Sequence, residues 1–123
     1  MFKFLKRTAL VGAVSLGVLI GYLAYLQISG NFYEVSPGVV YRAAQMDGQN
    51  LAKWKREHGI ATVLNLRGEA NGADWYETER AVADRLGIQH INFGMSEQQE
   101  LTDVDVHALM KIMRDAPKPL LIH

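Results

Sequence analysis

The side chains that could do chemistry in this sequence stand where apolar stretches end. Arg67 follows the β-branched stretch "IATVLNL", and His123 follows "PLLI". A guanidinium in such a place can hold an anion, because its planar fork of N–H donors matches the oxygens of a carboxylate or phosphate. A structural role for Arg67, in which it pairs with Glu69 or caps a nearby helix, is the alternative. Arg42, within "VVYRA", is a second candidate for binding an anion.

Candidate proton donors occur in the polar stretch "GMSEQQELTD", which follows the apolar segment "IQHINF". Ser96, Glu97 and Glu100 could each act as a general acid if it faces a leaving group. Asp103 and Asp105 are better explained as the acidic first turn of a helix, where negative charge is favourable. The stretch therefore provides three candidate acids, with the glutamates as the stronger ones.

Several other kinds of site are not expected. The four histidines show no metal-binding spacing and the sequence contains no cysteine, which argues against a metal site. The glycines match neither a dinucleotide-binding fingerprint nor a phosphate-binding P-loop, so no cofactor is expected. The 13 basic and 13 acidic residues balance, which gives no indication of a nucleic-acid partner.

The N-terminal part of the chain predicts a membrane anchor. Residues 8–28 carry no charge and are long enough to span a bilayer as a helix. Lys3, Lys6 and Arg7 precede them, which predicts residues 1–7 in the cytoplasm and the rest outside it, in a bacterium in the periplasm. The alternative is secretion after signal cleavage. It is less favoured because the apolar stretch is long and no small-x-small cleavage site follows it.

Beyond a linker at residues 29–38, the pattern of residues 39–123 alternates between strand and helix. Strands are predicted at "VVYRA", "IATVLNL", "IQHINF" and "PLLI". Helices are predicted at 48–58, 75–86 and 103–115.

Local signals support these helices. Asp47 and Asp74 are predicted to cap the first two helices, and Thr102 with Asp105 resembles a capping box for the third. The alternation predicts an α/β fold with a mostly parallel sheet and flanking helices. Ligands of such sheets bind beyond the carboxyl ends of the strands, which is where Arg67 and His123 stand.

Four segments together carry a resemblance to a known family: "SGNFYEVSPGVVYRAAQ", "HGIATVLNLRGE", "LGIQHINFGMS" and "LTDVDVHALMKIMRDAPKPLLIH". From about Gly30 to His123 the chain resembles membrane-anchored bacterial members of the dual-specificity and tyrosine phosphatase superfamily. In that family the strand that "PKPLLIH" resembles runs into the signature H-C-x-x-G-x-x-R. The resemblance implies a hydrolase that acts on a phosphorylated protein or a small phosphoester through a phosphocysteine intermediate.

The resemblance also assigns roles to residues. It makes His123 the signature histidine and places the general acid between Gly94 and Glu100, where no aspartate occurs. It implies supporting roles in phosphate binding for Arg42 and Arg67.

The nucleophile of that family is missing, because the sequence has no cysteine. The chain is therefore expected to be the N-terminal part of such a domain, to be inactive by itself, and to fold poorly because one face of its sheet lacks cover. A non-catalytic membrane-anchored partner or an anion-binding module is the alternative. A rhodanese-type sulfurtransferase is a third reading, against which "YRAAQ" and "NLRGE" argue.

Overall fold

The computed structural model describes residues 1–96 and 98–123. Its elements alternate between strand and helix after a long N-terminal helix. In chain order they are α1 (Phe2–Ile28), β1 (Tyr33–Ser36), β2 (Val40–Arg42), α2 (Gly48–His58), β3 (Thr62–Asn65), α3 (Asp74–Leu86), β4 (Gln89–Asn92), α4 (Asp103–Asp115) and β5 (Leu120–Ile122).

The strands form one sheet in the order β1-β2-β5-β3-β4. β1 pairs antiparallel with β2, and all the other pairs are parallel. The predicted α/β class with a mostly parallel sheet is therefore confirmed. The last strand, β5, lies in the middle, where Leu121 pairs with Tyr41 on one side and Val63 on the other. This position brings His123 to the centre of the carboxyl edge of the sheet.

The N-terminal helix α1 is long and apolar enough to cross a membrane from Lys3 to Ile28. None of its most apolar 18-residue window is buried within the protein. Its side chains are thus available to contact lipid, as the apolar stretch at residues 8–28 predicts.

The segment that follows α1 belongs to the folded domain. Within the predicted linker at residues 29–38, the structure places strand β1 and a core aromatic side chain. The ring of Phe32 stacks on those of Trp54 and Tyr41, with centroids 4.7 and 5.2 Å apart. Gly30, at a φ of +67°, lies so close that an added Cβ would be 2.9 Å from the Trp54 ring. The segment therefore packs on α2 and extends the sheet.

The N-terminal signals of α2 and α4 are confirmed. Asp47 accepts a hydrogen bond of 2.7 Å from the backbone N–H of Asn50, as expected for a capping aspartate. At α4, Thr102 Oγ1 accepts from the Asp105 N–H at 3.2 Å, and Asp105 Oδ2 accepts from the Thr102 N–H at 3.0 Å. The reciprocal bonds satisfy two backbone donors that the helix itself leaves free.

The predicted cap of α3 is wrong. The helix begins at Asp74, and Ala73 is its N-cap without any side-chain bond. The carbonyl of Ala73 accepts from both the Tyr76 and the Glu77 N–H groups at 3.0 Å, so the helix starts one residue earlier than predicted. Asp74 instead contributes negative charge to the first turn.

The two faces of the sheet carry separate apolar clusters. Helices α2 and α3 cover one face, and α4 lies over the other. Buried residues of the first cluster are Tyr41, Met46, Leu51, Trp54, Ile60, Val63, Ala83, Ile88 and Leu121. Buried residues of the second cluster are Leu64, Ala116 and Leu120. No residue within α4 is buried.

Candidate functional site

The carboxyl ends of three neighbouring strands meet at a small pocket. Its volume is about 260 Å³, and it lies beyond β3, β4 and β5. The lining residues are Leu66, Arg67, Met95, Ser96 and His123. The fold thus brings Arg67, Ser96 and His123 together, although they are far apart in the sequence.

Arg67 is exposed at this pocket. Its guanidinium carbon lies 5.9 Å from the centroid of the Trp75 ring, within reach of a cation–π interaction. Glu69 accepts a hydrogen bond of 2.7 Å from the side chain of Asn71. The cation of Arg67 therefore rests against an aromatic face beside the pocket, where it can meet an anion.

The other sequence candidates lie elsewhere. Arg42 ends β2 next to Ile122, but its guanidinium lies over the Tyr33 ring, 5.0 Å from the centroid. Glu100 is exposed in the loop before α4 and is not among the described residues that line the pocket. Glu97 lies outside the residues that the structure describes.

His123 is held in place by both its backbone and its ring. Its N–H donates to the Leu64 carbonyl at 3.1 Å, and its carbonyl accepts from the Leu66 N–H at 2.8 Å. Its side chain is fully buried, with Nε2 2.8 Å from Oε1 of Glu79. The central strand and helix α3 therefore determine together where this imidazole lies.

Glu79 is a carboxylate within the core, with 1% of its side chain exposed. Its Oε1 also lies 2.7 Å from Nε2 of His90 on β4. Burial raises the pKa of Glu79, but hydrogen bonds and charge from His123 and His90 outweigh it and hold the pKa below the ordinary 4.5. Glu79 is thus ionised at neutral pH and shared between two imidazoles.

A second set of polar groups orders the loop after β3. The buried Asn65 donates through Nδ2 to the Gly68 carbonyl at 2.9 Å and to Asn92 Oδ1 at 3.1 Å. Its Oδ1 accepts from the backbone N–H of Arg67 at 3.0 Å. Asn92 donates in turn to the Tyr76 hydroxyl at 2.6 Å. These bonds tie the loop that carries Arg67 to β4 and α3.

The loops after β3 and β4 also touch directly at two glycines. Gly68 has a φ of +81°, and a Cβ there would lie 2.9 Å from the Cα of Gly94. The Met95 N–H donates to the Leu66 carbonyl at 2.8 Å. A side chain at position 68 would force these loops apart and open the pocket wall.

The polar network follows from the two-residue period of strands. Side chains of a strand alternate between faces, so Leu121 and His123 point to the α2/α3 face. Val63 and Asn65 share that face for the same reason. At β3 and β5, the apolar side chain on this face is therefore followed, two residues later, by a polar side chain at the carboxyl end of the strand.

Glu79, His90, Asn65 and Asn92 are not among the site residues expected from the sequence. A signal for two of them exists. Glu79 falls in the inward-facing stripe of its helix, and His90 shares one face of its strand with Ile88 and Asn92. A carboxylate in an apolar stripe predicts a buried partner, because an unpaired buried charge is costly.

Comparison with known proteins gives one informative match. No family model and no curated protein matches the chain. The crystal structure of a "putative phosphatase" from Neisseria meningitidis superimposes with a TM-score of 0.54 and 15% sequence identity. The match covers 72% of this chain and 63% of that protein.

The two proteins share a fold. This chain thus has a phosphatase-like α/β fold, and it spans 63% of the length of the Neisseria protein. The pocket at the carboxyl edge of the sheet lies where α/β proteins generally bind ligands.

Proposed function

We propose that this chain supplies the N-terminal part of a cysteine-dependent phosphoester hydrolase of the tyrosine or dual-specificity type. The observation that carries the proposal is the position of His123. It directly follows the central strand of a phosphatase-like fold and lines a pocket beside Arg67. The resemblance of "PKPLLIH" to the strand before H-C-x-x-G-x-x-R then predicts a cysteine at the next position.

The chemistry proposed is a double displacement at phosphorus. The thiolate of that cysteine attacks the phosphoryl group, and the P–O bond to the leaving group breaks as the S–P bond forms. Water then attacks the phosphocysteine, which releases inorganic phosphate and restores the thiolate. Arg67 contributes positive charge at the pocket, which favours binding of the phosphoryl oxygens and lowers the pKa of a neighbouring thiol.

The leaving oxygen needs a proton from a general acid. Ser96 lines the pocket but has a hydroxyl group, which is a much weaker acid than a carboxyl group. We therefore propose Glu97 or Glu100, in the segment after β4, as the donor.

The gene sequence beyond codon 123 tests the proposal. We expect codon 124 to encode cysteine and an arginine to follow six codons later. The complete gene product should then hydrolyse p-nitrophenyl phosphate, and replacing the cysteine with serine should abolish the activity. A stop codon, or an unrelated sequence after codon 123, would overturn the proposal.

Arg67→Gln in the same gene product tests the role of the cation. Loss of a charge-assisted hydrogen bond to phosphate of about 1.5–3 kcal/mol would weaken binding by at least about tenfold. Arg67→Lys keeps the charge and should recover part of the loss. Equal KM values for all three proteins would exclude Arg67 from the phosphate site.

For localisation, we propose a single-pass anchor with the domain in the periplasm. The support is the spanning length of α1 and the three cations, Lys3, Lys6 and Arg7, that precede its apolar part. Fusion of alkaline phosphatase after His123 should give an active reporter. If only a reporter that works in the cytoplasm is active at this position, the proposed orientation is wrong. A processed N-terminus would indicate a cleaved signal peptide.

The pocket also supports a second candidate function, binding of an anion without catalysis. Arg67 and the pocket are formed within a sequence that has no cysteine. Titration of the chain, in detergent micelles, with inorganic phosphate should then shift the amide signals near Arg67 and Ser96 to a saturating value. Linear, unsaturable shifts that persist in Arg67→Gln would rule out this function.

A further inference from the structure

The least expected feature of the protein is a buried carboxylate between two imidazoles. Glu79 comes from α3, His90 from β4, and His123 follows β5. Their side chains are 1%, 8% and 0% exposed. Within the described chain, Glu79 Oε2 and His123 Nδ1 are buried without a hydrogen-bond partner.

This cluster is not arranged as a metal site. Both imidazoles direct Nε2 at the same carboxylate oxygen, Oε1, at hydrogen-bond distances of 2.7 and 2.8 Å. No set of three histidine or acidic side chains in the described chain is placed to hold a metal ion. The contacts are therefore hydrogen bonds.

These contacts determine where the protons lie. An ionised carboxylate only accepts hydrogen bonds, so Nε2 of each ring must carry a hydrogen. If Nε2 carries the only ring proton of His123, the other nitrogen, Nδ1, is a hydrogen-bond acceptor. It is buried and has no partner among the described residues.

We propose that Glu79 is a positioning residue for His123, with His90 as its support. Glu79 fixes the ring orientation and the Nε2–H form of His123, which leaves Nδ1 to accept a backbone N–H of the chain that follows β5. His90 restrains Glu79 by donating to the same oxygen, and its ring packs edge-on against Tyr76 at 5.8 Å. The inference deepens the proposed function and rests on it, because that following chain would be the start of the phosphate-binding loop.

The same arrangement explains why the contact involves a charged partner. A neutral carbonyl oxygen could also accept both Nε2–H groups, but an ionised carboxylate oxygen makes both hydrogen bonds stronger. Because the site is shielded from water, loss of the charge would leave two buried donors with a weaker partner. The orientation of His123 would then depend on the sheet backbone alone.

The first test reads the tautomer directly. The chain is labelled with 15N-histidine, held in detergent micelles, and studied by long-range 1H–15N spectroscopy. We expect His123 to show a protonated Nε2 and an unprotonated Nδ1. In Glu79→Gln the 15N signals of the two ring nitrogens of His123 should move towards a common average value. Asp84 is an exposed carboxylate on the same helix, and Asp84→Asn should leave the His123 signals as in the wild type.

The wild-type spectrum alone is decisive if Glu79→Gln does not fold. A proton on Nδ1 of His123, or averaged ring nitrogens in the wild type, would overturn the inference. An unchanged tautomer in a folded Glu79→Gln would do the same.

The second test uses the complete gene product and separates this inference from the proposed function. In an active enzyme, Glu79→Gln should lower kcat by about tenfold to a hundredfold with a smaller change in KM, because a displaced loop misaligns the nucleophile. Glu79→Asp should recover part of kcat, and Asp84→Asn should leave it unchanged. An inactive wild type would contradict the proposed function and leave the tautomer result standing. An active enzyme with an unaffected Glu79→Gln would contradict the inference itself.

Discussion

The two faces of the sheet differ in how completely this chain covers them. On the α2/α3 face, helical side chains are buried, among them Leu51, Trp54 and Tyr76. On the α4 face the helix buries no residue, and Val104 and Met110 remain 78% and 62% exposed. The same sheet thus has one tightly packed face and one loosely covered face.

The difference shows which part of the fold can hold a site. Glu79 belongs to the packed face, and so do the ring of His123 and the network around Asn65. These polar groups keep their geometry because closely packed neighbours restrict their movement. The orientation of His123 therefore depends on α3, and α4 contributes little to it.

The largest expected effect is on the packed face. Trp54 is 3% exposed and stacks on Phe32, so Trp54→Ala should lower the free energy of unfolding by about 3–5 kcal/mol. Guanidinium titration of the chain in detergent micelles, followed by circular dichroism, measures it. Met110→Ala on the α4 face is the matched control and should stay within about 0.5 kcal/mol. Similar losses for both variants would remove the distinction between the faces.

Two adjacent leucines compare the faces within one strand. Leu121 points to the packed face and Leu120 to the α4 face, and both are fully buried. Each change to alanine should cost about 2–5 kcal/mol, with Leu121→Ala the more damaging. The reason is that the loosely covered face can relax around a cavity. The same titration measures both variants, and a larger loss for Leu120→Ala would contradict the comparison.

The charge of Glu79 predicts a pH dependence of stability. Its pKa in the folded protein is lower than the ordinary 4.5, so the stabilisation it provides is complete above about pH 4.5. It is lost as the pH falls through the lowered pKa, because the carboxylate takes up a proton. Unfolding measured between pH 7 and pH 3 should show this loss in the wild type.

Glu79→Gln is the variant that isolates this effect. It should be less stable than the wild type by about 1–3 kcal/mol at pH 7, and the difference should shrink in acid. Asp84→Asn serves as the control. A constant difference across the whole range would show that Glu79 is not the titrating group.

The smallest expected effect is at the start of α4. Thr102→Ala removes the capping box and should destabilise the helix by about 1 kcal/mol. Because α4 is loosely held, the change should appear as faster amide exchange within α4 before it affects global unfolding. Thr78→Ala, at an exposed position within α3, removes no cap. If Thr102→Ala accelerates amide exchange equally in α3 and α4, the two faces of the sheet do not differ in how firmly their helices are held.

Local features of this fold could be predicted from the sequence. The cap at Asp47 and the Thr102–Asp105 box depend on backbone groups a few residues away. The alternation of strand and helix patterns predicted the mostly parallel sheet, with "PLLI" as one of its strands. The cap at Asp74 failed because competing starts one residue apart differ little in local signals.

The tertiary contacts could not be predicted in the same way. Glu79 and His123 are 44 residues apart, and their contact depends on how α3 lies across β4 and β5. Likewise, Phe32 packs on the core because β1 adds to the edge of the sheet beside β2.

The apolar N-terminal helix, the α/β alternation and the position of His123 directly after an apolar strand all follow from patterns within the sequence. Hydrophobic periodicity and capping are short-range, so each can be read from neighbouring residues. The shared pocket of Arg67 and His123, and the contact between Glu79 and His123, appear only in the folded protein. Those relations depend on the order of strands and the packing of a helix, which join residues distant in the chain.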